Sequence, residues 1–157
     1  MGHMSYIENK SFQIAALPVF INGNAEVEIC LVTSRGSGRW IIPKGNPIDG
    51  LEPHEVAAQE AREEAGLIGQ MEPLSIGTFE FNRNRGGRET TCSVAVYVLK
   101  AERQLRKWEE RDQRSVRRCS LKKALSLVCS PSLAEIMRQY AGLDHVLQSE
   151  RQALILA

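Results

Sequence analysis

Long apolar runs are missing from this sequence. None approaches the roughly 20 residues that a membrane-spanning helix needs, so no helical span is expected. No secretory signal is visible either. The four cysteines, Cys30, Cys92, Cys119 and Cys129, lack the paired short spacing of a metal or redox motif. Cys30 and Cys92 fall in apolar runs and read as buried thiols. A reducing, cytoplasmic setting is the expectation. An excess of charge of one sign is also absent: 20 Lys and Arg against 19 Asp and Glu leave a net +1, so bulk charge does not recruit a polyanion. No Ser-His-Asp or Cys-His constellation can be assembled. His54 and His145 read as surface helix residues. These absences point away from covalent catalysis and toward water as nucleophile.

What is present fits one domain. A chain of 157 residues can bury a sizeable core. Met1-Gly2-His3-Met4 reads as a cloning remnant, which leaves residues 5–157 as a single domain without repeat, low-complexity tract or linker. Phe12–Phe20 and Val27–Thr33 are apolar enough for strands, with the turn signal Asn22-Gly23-Asn24 between them. Trp40–Ile42 reads as a short strand. Pro53–Ala65 reads as a helix, with Pro in its first turn and Gly66 as its stop. Pro73–Phe81 and Thr91–Leu99 read as a strand pair around a polar loop, Asn82–Glu89. Arg117–Ser120 is a last short strand. Leu121–Cys129 and Ser132–Tyr140 read as helices capped by Ser120 and Ser132. The order implies an α/β fold.

The most informative residues are Glu60, Glu63 and Glu64. Offsets of three and four place these carboxylates on one helix face. Glu is a good helix former, so a Glu cluster on its own is an ordinary solvated face. Its surroundings change that reading. Upstream, Arg39-Trp40-Ile41-Ile42-Pro43-Lys44-Gly45 is an apolar strand running into a Pro/Gly loop, and Asp49-Gly50 is a turn. Loop, helix and mutually repelling carboxylates in one unit suit a hard divalent cation, which takes oxygen ligands and shares its site with a substrate phosphate.

The segment Gly45–Leu67 resembles the Nudix box, in which a Gly, five residues, a Glu and seven residues precede Arg-Glu-aliphatic-any-Glu-Glu-any-Gly-aliphatic. Gly45, Glu60, Ala61, Glu63, Glu64, Gly66 and Leu67 fall on that pattern. Two positions depart from it: Leu51 replaces the first Glu, beside Glu52, and Gln59 replaces the Arg, removing a charge that would orient Glu60. The resemblance implies a mixed sheet sandwiched between helices. It also implies Mg²⁺, with Mn²⁺ as a substitute, held by Glu60, Glu63 and Glu64 and by a backbone carbonyl near Lys44 or Gly45. A later loop often adds a carboxylate, for which Glu109, Glu110 and Asp112 are candidates.

Basic residues suggest the substrate. Ser34-Arg35-Gly36-Ser37-Gly38-Arg39 is either an ordinary turn or a loop whose amides and two Arg forks meet phosphate. With Pro43-Lys44-Gly45 beside it, the segment is similar to the Nudix branch that cleaves diphosphoinositol polyphosphates and diadenosine polyphosphates. Arg35, Arg39, Lys44 and Gly45 are therefore candidate substrate contacts. Arg83, Arg85 and Arg88 sit in a stretch that either closes over a polyphosphate or is a solvated hairpin tip. Lys100–Lys123 holds ten basic and four acidic residues, with Trp108 read as packing the core edge. RNA binding there is open, though no RNA-binding motif appears.

The reaction implied is hydrolysis of a phosphoanhydride in a small molecule by metal-activated water. Glu60 or Glu64 is the candidate general base. A Nudix domain that binds without efficient turnover, and removal of pyrophosphate from an RNA 5′ end, are the alternatives. The protein acts as a monomer or a homodimer.

Overall fold

The structure, a computed structural model, describes residues 10–141. His145 and the continuation expected beyond Leu143 lie outside the described residues. The elements are β1 (Lys10–Ile21), β2 (Val27–Thr33), β3 (Trp40–Ile41), β4 (Lys44–Gly45), α1 (Pro53–Ala65), β5 (Leu67–Met71), β6 (Gly77–Arg85), β7 (Arg88–Gln104), β8 (Val116–Ser120), α2 (Leu121–Leu127) and a helix over 131–141, here α3. Among the described residues, no helix is long and apolar enough to cross a membrane.

Strand alternation builds two cores. On β1, Ile14 and Ala16 face one way and meet Val56, Ala57, Ala61 and Ala65 of α1. Ala15, Leu17 and Val19 face the other way and meet Ala124 of α2 with Leu133, Ile136 and Met137 of α3. The sheet therefore lies between α1 and the pair α2 and α3, the α/β/α sandwich that the sequence implied. It is mixed: β1 pairs antiparallel with β2 and β4 and parallel with β7, from Lys10↔Thr91 to Val19↔Lys100.

Four local expectations change. β5 was not expected; its five residues are too short a signal beside Gly66, and its pairing with β7 holds it. The strand expected from Pro73 starts at Gly77. The expected loop Asn82–Glu89 is instead paired strand, from Asn82↔Thr91 to Arg85↔Arg88, closed by the two-residue turn Gly86-Gly87. Polar residues suit both edges of an exposed hairpin, so composition hid the pairing. The cap of α3 is Ser130, whose hydroxyl accepts from the Leu133 amide at 3.2 Å, with Pro131 opening the helix. Ser132 instead bonds both the amide and the carbonyl of Glu80. Ser120 caps α2 as expected.

The end of α1 matters most for the site. A helix leaves its last carbonyls without partners. Gly66, at φ 68°, ends the helix in the left-handed region. Its neighbours are then satisfied from residues 104–110. Glu63 O accepts from the Glu110 amide (3.0 Å) and Gly66 O from the Leu105 amide (2.7 Å). Glu64 O accepts from Trp108 Nε1 (3.2 Å) and Ala65 O from Gln104 Nε2 (3.0 Å). The Trp108 ring lies where a Cβ on Gly66 would go. Gly66→Ala therefore meets both backbone strain and a ring. We expect it to lower unfolding free energy by at least about 2 kcal/mol in urea titrations.

Candidate active site

A cavity of about 1300 Å³ opens beside the N-terminal end of β4, bounded by α1, β6, the 34–39 loop and the start of α3. Glu60, Glu63, Glu64, Arg35, Arg39, Lys44, Gly45 and Arg83 all line it. Among the sequence candidates for a later carboxylate, Glu109 and Glu110 line it as well; Asp112 does not. Arg88 does not line it either, because it stands across the hairpin tip from Arg85.

One wall is acidic. Glu64 is buried, at 2% exposure, and both its oxygens are engaged: Oε1 with Arg114 at 2.9 Å and Oε2 with the Lys44 amide at 2.9 Å. Arg114 reaches on to Glu110 Oε1 (3.2 Å) and to the Thr33 carbonyl (3.0 Å). Glu110 also takes Arg35 at 3.1 Å, which Gln113 holds at 2.9 Å. The ion pairs thus run Glu64, Arg114, Glu110, Arg35, from α1 to the Gly/Ser loop. Glu60 packs against Gly45, where a Cβ would collide with its carboxylate. Burial pushes Glu60 up to about 7, and Glu64, Glu63 and Glu110 add to the rise. Burial likewise pushes Glu64 up to about 7, opposed by Arg114 and the Lys44 amide.

The opposite wall is basic. Lys44 Nζ donates to Gln13 Oε1 at 2.7 Å and sits 4.6 Å from the Phe81 ring centre. Arg83 donates to the same oxygen at 3.3 Å and lies 5.6 Å from the same ring. Burial, then the nearby Arg83 charge, lowers the Lys44 pKa.

Two functional features escaped the sequence reading. Arg114 is one of ten basic residues between Lys100 and Lys123, and nothing local separates it from its neighbours. Gln13 did carry a signal, a polar residue on the Ala15-Leu17 side of an apolar strand. One expected role moves: Gln59 Nε2 donates to Glu63 Oε1 at 3.0 Å rather than orienting Glu60. Helix geometry is the reason, since i and i+4 are neighbours and i and i+1 are not. The expected cation cage is also not preformed. Among the described residues, no three His, Cys, Asp or Glu side chains close into one, because Glu63 and Glu64 turn to protein partners.

The NUDIX domain profile matches residues 11–140. The chain belongs to that family. It is 28% identical over 137 residues to Nudix hydrolase 12, mitochondrial, of Arabidopsis thaliana, covering 85% of this chain and 64% of the relative. It is 35% identical over 102 residues to human diphosphoinositol polyphosphate phosphohydrolase 3-beta, covering 64% and 58%. The chain thus spans less than two thirds of either relative's length. A Caenorhabditis elegans Ap4A hydrolase in a binary complex shares the fold, with a TM-score of 0.62 and 15% identity over 85% of this chain and 96% of that one.

NUDIX hydrolases generally use divalent metals, and the donor chemistry here fits one. The acidic wall offers hard oxygen ligands, with Glu60, Glu63, Glu64, Glu109 and Glu110 all lining one cavity. Leu51 is exposed and lies outside the cavity lining.

A pH prediction follows from Glu60. Its folded value lies above the ordinary 4.5, so the folded state holds the proton more tightly than the unfolded chain. Ionisation then costs the folded state stability as pH rises from 4.5 through about 7. In chelator, Glu60→Gln should gain Tm relative to the parent chain as pH rises from about 5 to about 8. Scanning fluorimetry at fixed ionic strength measures it; a Tm difference that does not change with pH contradicts the shifted carboxyl.

Proposed function

We propose that this NUDIX domain hydrolyses a phosphoanhydride bond in a polyphosphate-containing small molecule, with a diadenosine polyphosphate or a diphosphoinositol polyphosphate as the substrate class. The single observation that carries the reading is the charge layout of one cavity: carboxylates on one wall, cations on the other, joined through Lys44-Gly45. Names of the relatives point the same way, as enzymes of diphosphoinositol polyphosphates and of Ap4A.

Glu60 and Glu63, with Glu64 behind them, would hold Mg²⁺ or Mn²⁺, and a backbone carbonyl near Lys44 or Gly45 completes the candidate set. When bound, such an ion neutralises pyrophosphate charge and lowers the pKa of a coordinated water. The protein's own residues do the rest. Glu60, with its raised pKa and a carboxylate that packs against Gly45 in the cavity, is the best-placed proton acceptor. Glu64 is held by Arg114 and the Lys44 amide, which favours an orienting role over proton transfer. Lys44 and Arg83 face the phosphates from the basic wall, and Arg39 from the rim. Arg35 is already paired with Glu110, so it contributes less free charge than the sequence suggested. Free thiols at Cys30, Cys92, Cys119 and Cys129 suit a reducing, cytoplasmic setting, and burial pushes Cys30 up to about 12, leaving it inert.

Two outcomes test the reading. Turnover should require Mg²⁺ or Mn²⁺, and Glu63→Gln should lower kcat by at least about 100-fold. Undiminished turnover in excess chelator refutes the metal mechanism, and no turnover of any phosphoanhydride with metal present makes this a binding domain. Along a diadenosine series from three phosphates to five or six, kcat/KM should rise, since each well-formed charged contact is worth roughly 1.5–3 kcal/mol. Arg39→Ala should flatten that rise, and salt should weaken it. A nucleotide sugar as best substrate, with the ranking unmoved by Arg39→Ala, contradicts the polyphosphate class.

A further inference from the structure

Gln13 is an unusual residue for its position. It is 7% exposed on the core side of β1, in line with Ala15, Leu17 and Val19. Its Oε1 is approached by three donors: Lys44 Nζ at 2.7 Å, Arg83 at 3.3 Å and the Cys92 thiol at 3.6 Å. A carbonyl oxygen has two lone pairs, so three donors oversubscribe it. Its Nε2 donates to Asn46 Oδ1 at 3.2 Å, which fixes the amide with its oxygen toward the cations. Lys44 and Arg83 also both lie over the Phe81 ring.

Two like charges are therefore gathered around a neutral amide. Among the described residues, neither has a carboxylate within ion-pair distance, whereas Arg35 and Arg114 on the far wall both do. A carboxylate in place of Gln13 would accept the same donors and cancel their charge. The amide collects the cations without neutralising them, and the surplus faces the cavity that Gln13, Lys44, Asn46, Phe81 and Arg83 all line.

We propose that Gln13, Lys44, Arg83 and Phe81 form an anion subsite that takes a phosphate of the substrate beyond the bond being cleaved, with Gln13 as its positioning residue. The identity of the anion rests on the phosphoanhydride reading above. The link to the carboxylate wall is a single residue: the Lys44 amide holds Glu64 while its ammonium group faces the subsite. A phosphate seated at the subsite thereby sets the register of the chain along the carboxylates. Chain length beyond the scissile bond is then measured here, and substrates that lack a further phosphate lose the contact.

The test needs no turnover. Inorganic tripolyphosphate is titrated by calorimetry into the full chain in chelator at low salt. The parent chain should bind it, and Gln13→Glu, nearly isosteric, should bind at least about tenfold more weakly, because an internal ion pair replaces the ligand. Arg83→Gln, on the half-buried wall, should weaken binding comparably and covers the case in which Gln13→Glu fails to fold. Arg88→Gln, outside the cavity, should stay within about twofold of the parent chain. Binding by Gln13→Glu within about twofold of the parent chain overturns the subsite, as does an Arg88→Gln loss equal to that of Arg83→Gln, which would mean bulk charge alone. A parent chain that binds tripolyphosphate through these residues yet hydrolyses no phosphoanhydride supports the subsite and overturns the hydrolase reading. Turnover that persists while Gln13→Glu binds normally does the reverse.

Discussion

The buried carboxylate of Glu64 is the constraint on which the rest of the site depends. A lone carboxylate at 2% exposure would be strongly unfavourable. It is tolerated because a guanidinium and a backbone amide meet its two oxygens. Those partners come from different parts of the chain: Lys44 from β4, Arg114 from the segment before β8. Arg114 in turn holds the end of β2 through Thr33 and the cavity rim through Glu110. Breaking such a pair by removing one partner costs roughly 3–5 kcal/mol, so one helical residue fixes three walls of the cavity. Arg114 is not fully satisfied in return, since its buried Nε has no partner.

Beside the ion pairs of Arg35 and Arg114, the same cavity holds charges for which no ion pair is seen among the described residues. Lys44 and Arg83 stand around Gln13, while Glu60 stands near Glu63 and Glu64. Two unit charges about 4 Å apart near a protein surface interact by roughly 4 kcal/mol, so each cluster works against its own fold. That repulsion adds to burial in raising Glu60 and in lowering Lys44. Burial is the larger cause in both, and it also reduces screening by salt, so a ligand that brings a cation to one wall and an anion to the other relieves both together. A phosphoanhydride with its counter-ion has that polarity. A neutral ligand relieves neither.

Local sequence made much of this legible. Pro53–Ala65 and Val27–Thr33 matched their expected bounds because a Pro start, a Gly stop and apolar alternation act within a few residues. The spacing from Gly45 to Leu67 located the acidic wall. What stayed hidden depends on partners distant in the chain. Trp108 caps Glu64 from 44 residues away, and Arg114 meets Thr33 from 81 away. β5 exists because β7 is long enough to pair with it beyond β6. The basic loop was read by composition, yet Arg83 lines the cavity and Arg88 does not. Which positive charges are free and which are already paired is a property of the fold.

The two departures from the family pattern now separate into different kinds. Leu51 lies outside the cavity lining. Gln59 does reach the carboxylates, since a neutral amide meets Glu63 where a cation is usual. The charge has not vanished from the site, however. Arg114 delivers a guanidinium to Glu64 and Glu110 from another element, and its 8% exposure makes that charge less screened than one on the helix surface. The helix thus keeps a neutral contact at its half-exposed carboxylate and a cationic one at its buried carboxylate. That division leaves Glu63 free to exchange Gln59 for a stronger partner, whereas Glu64 stays fixed as the frame against which such a partner would be placed.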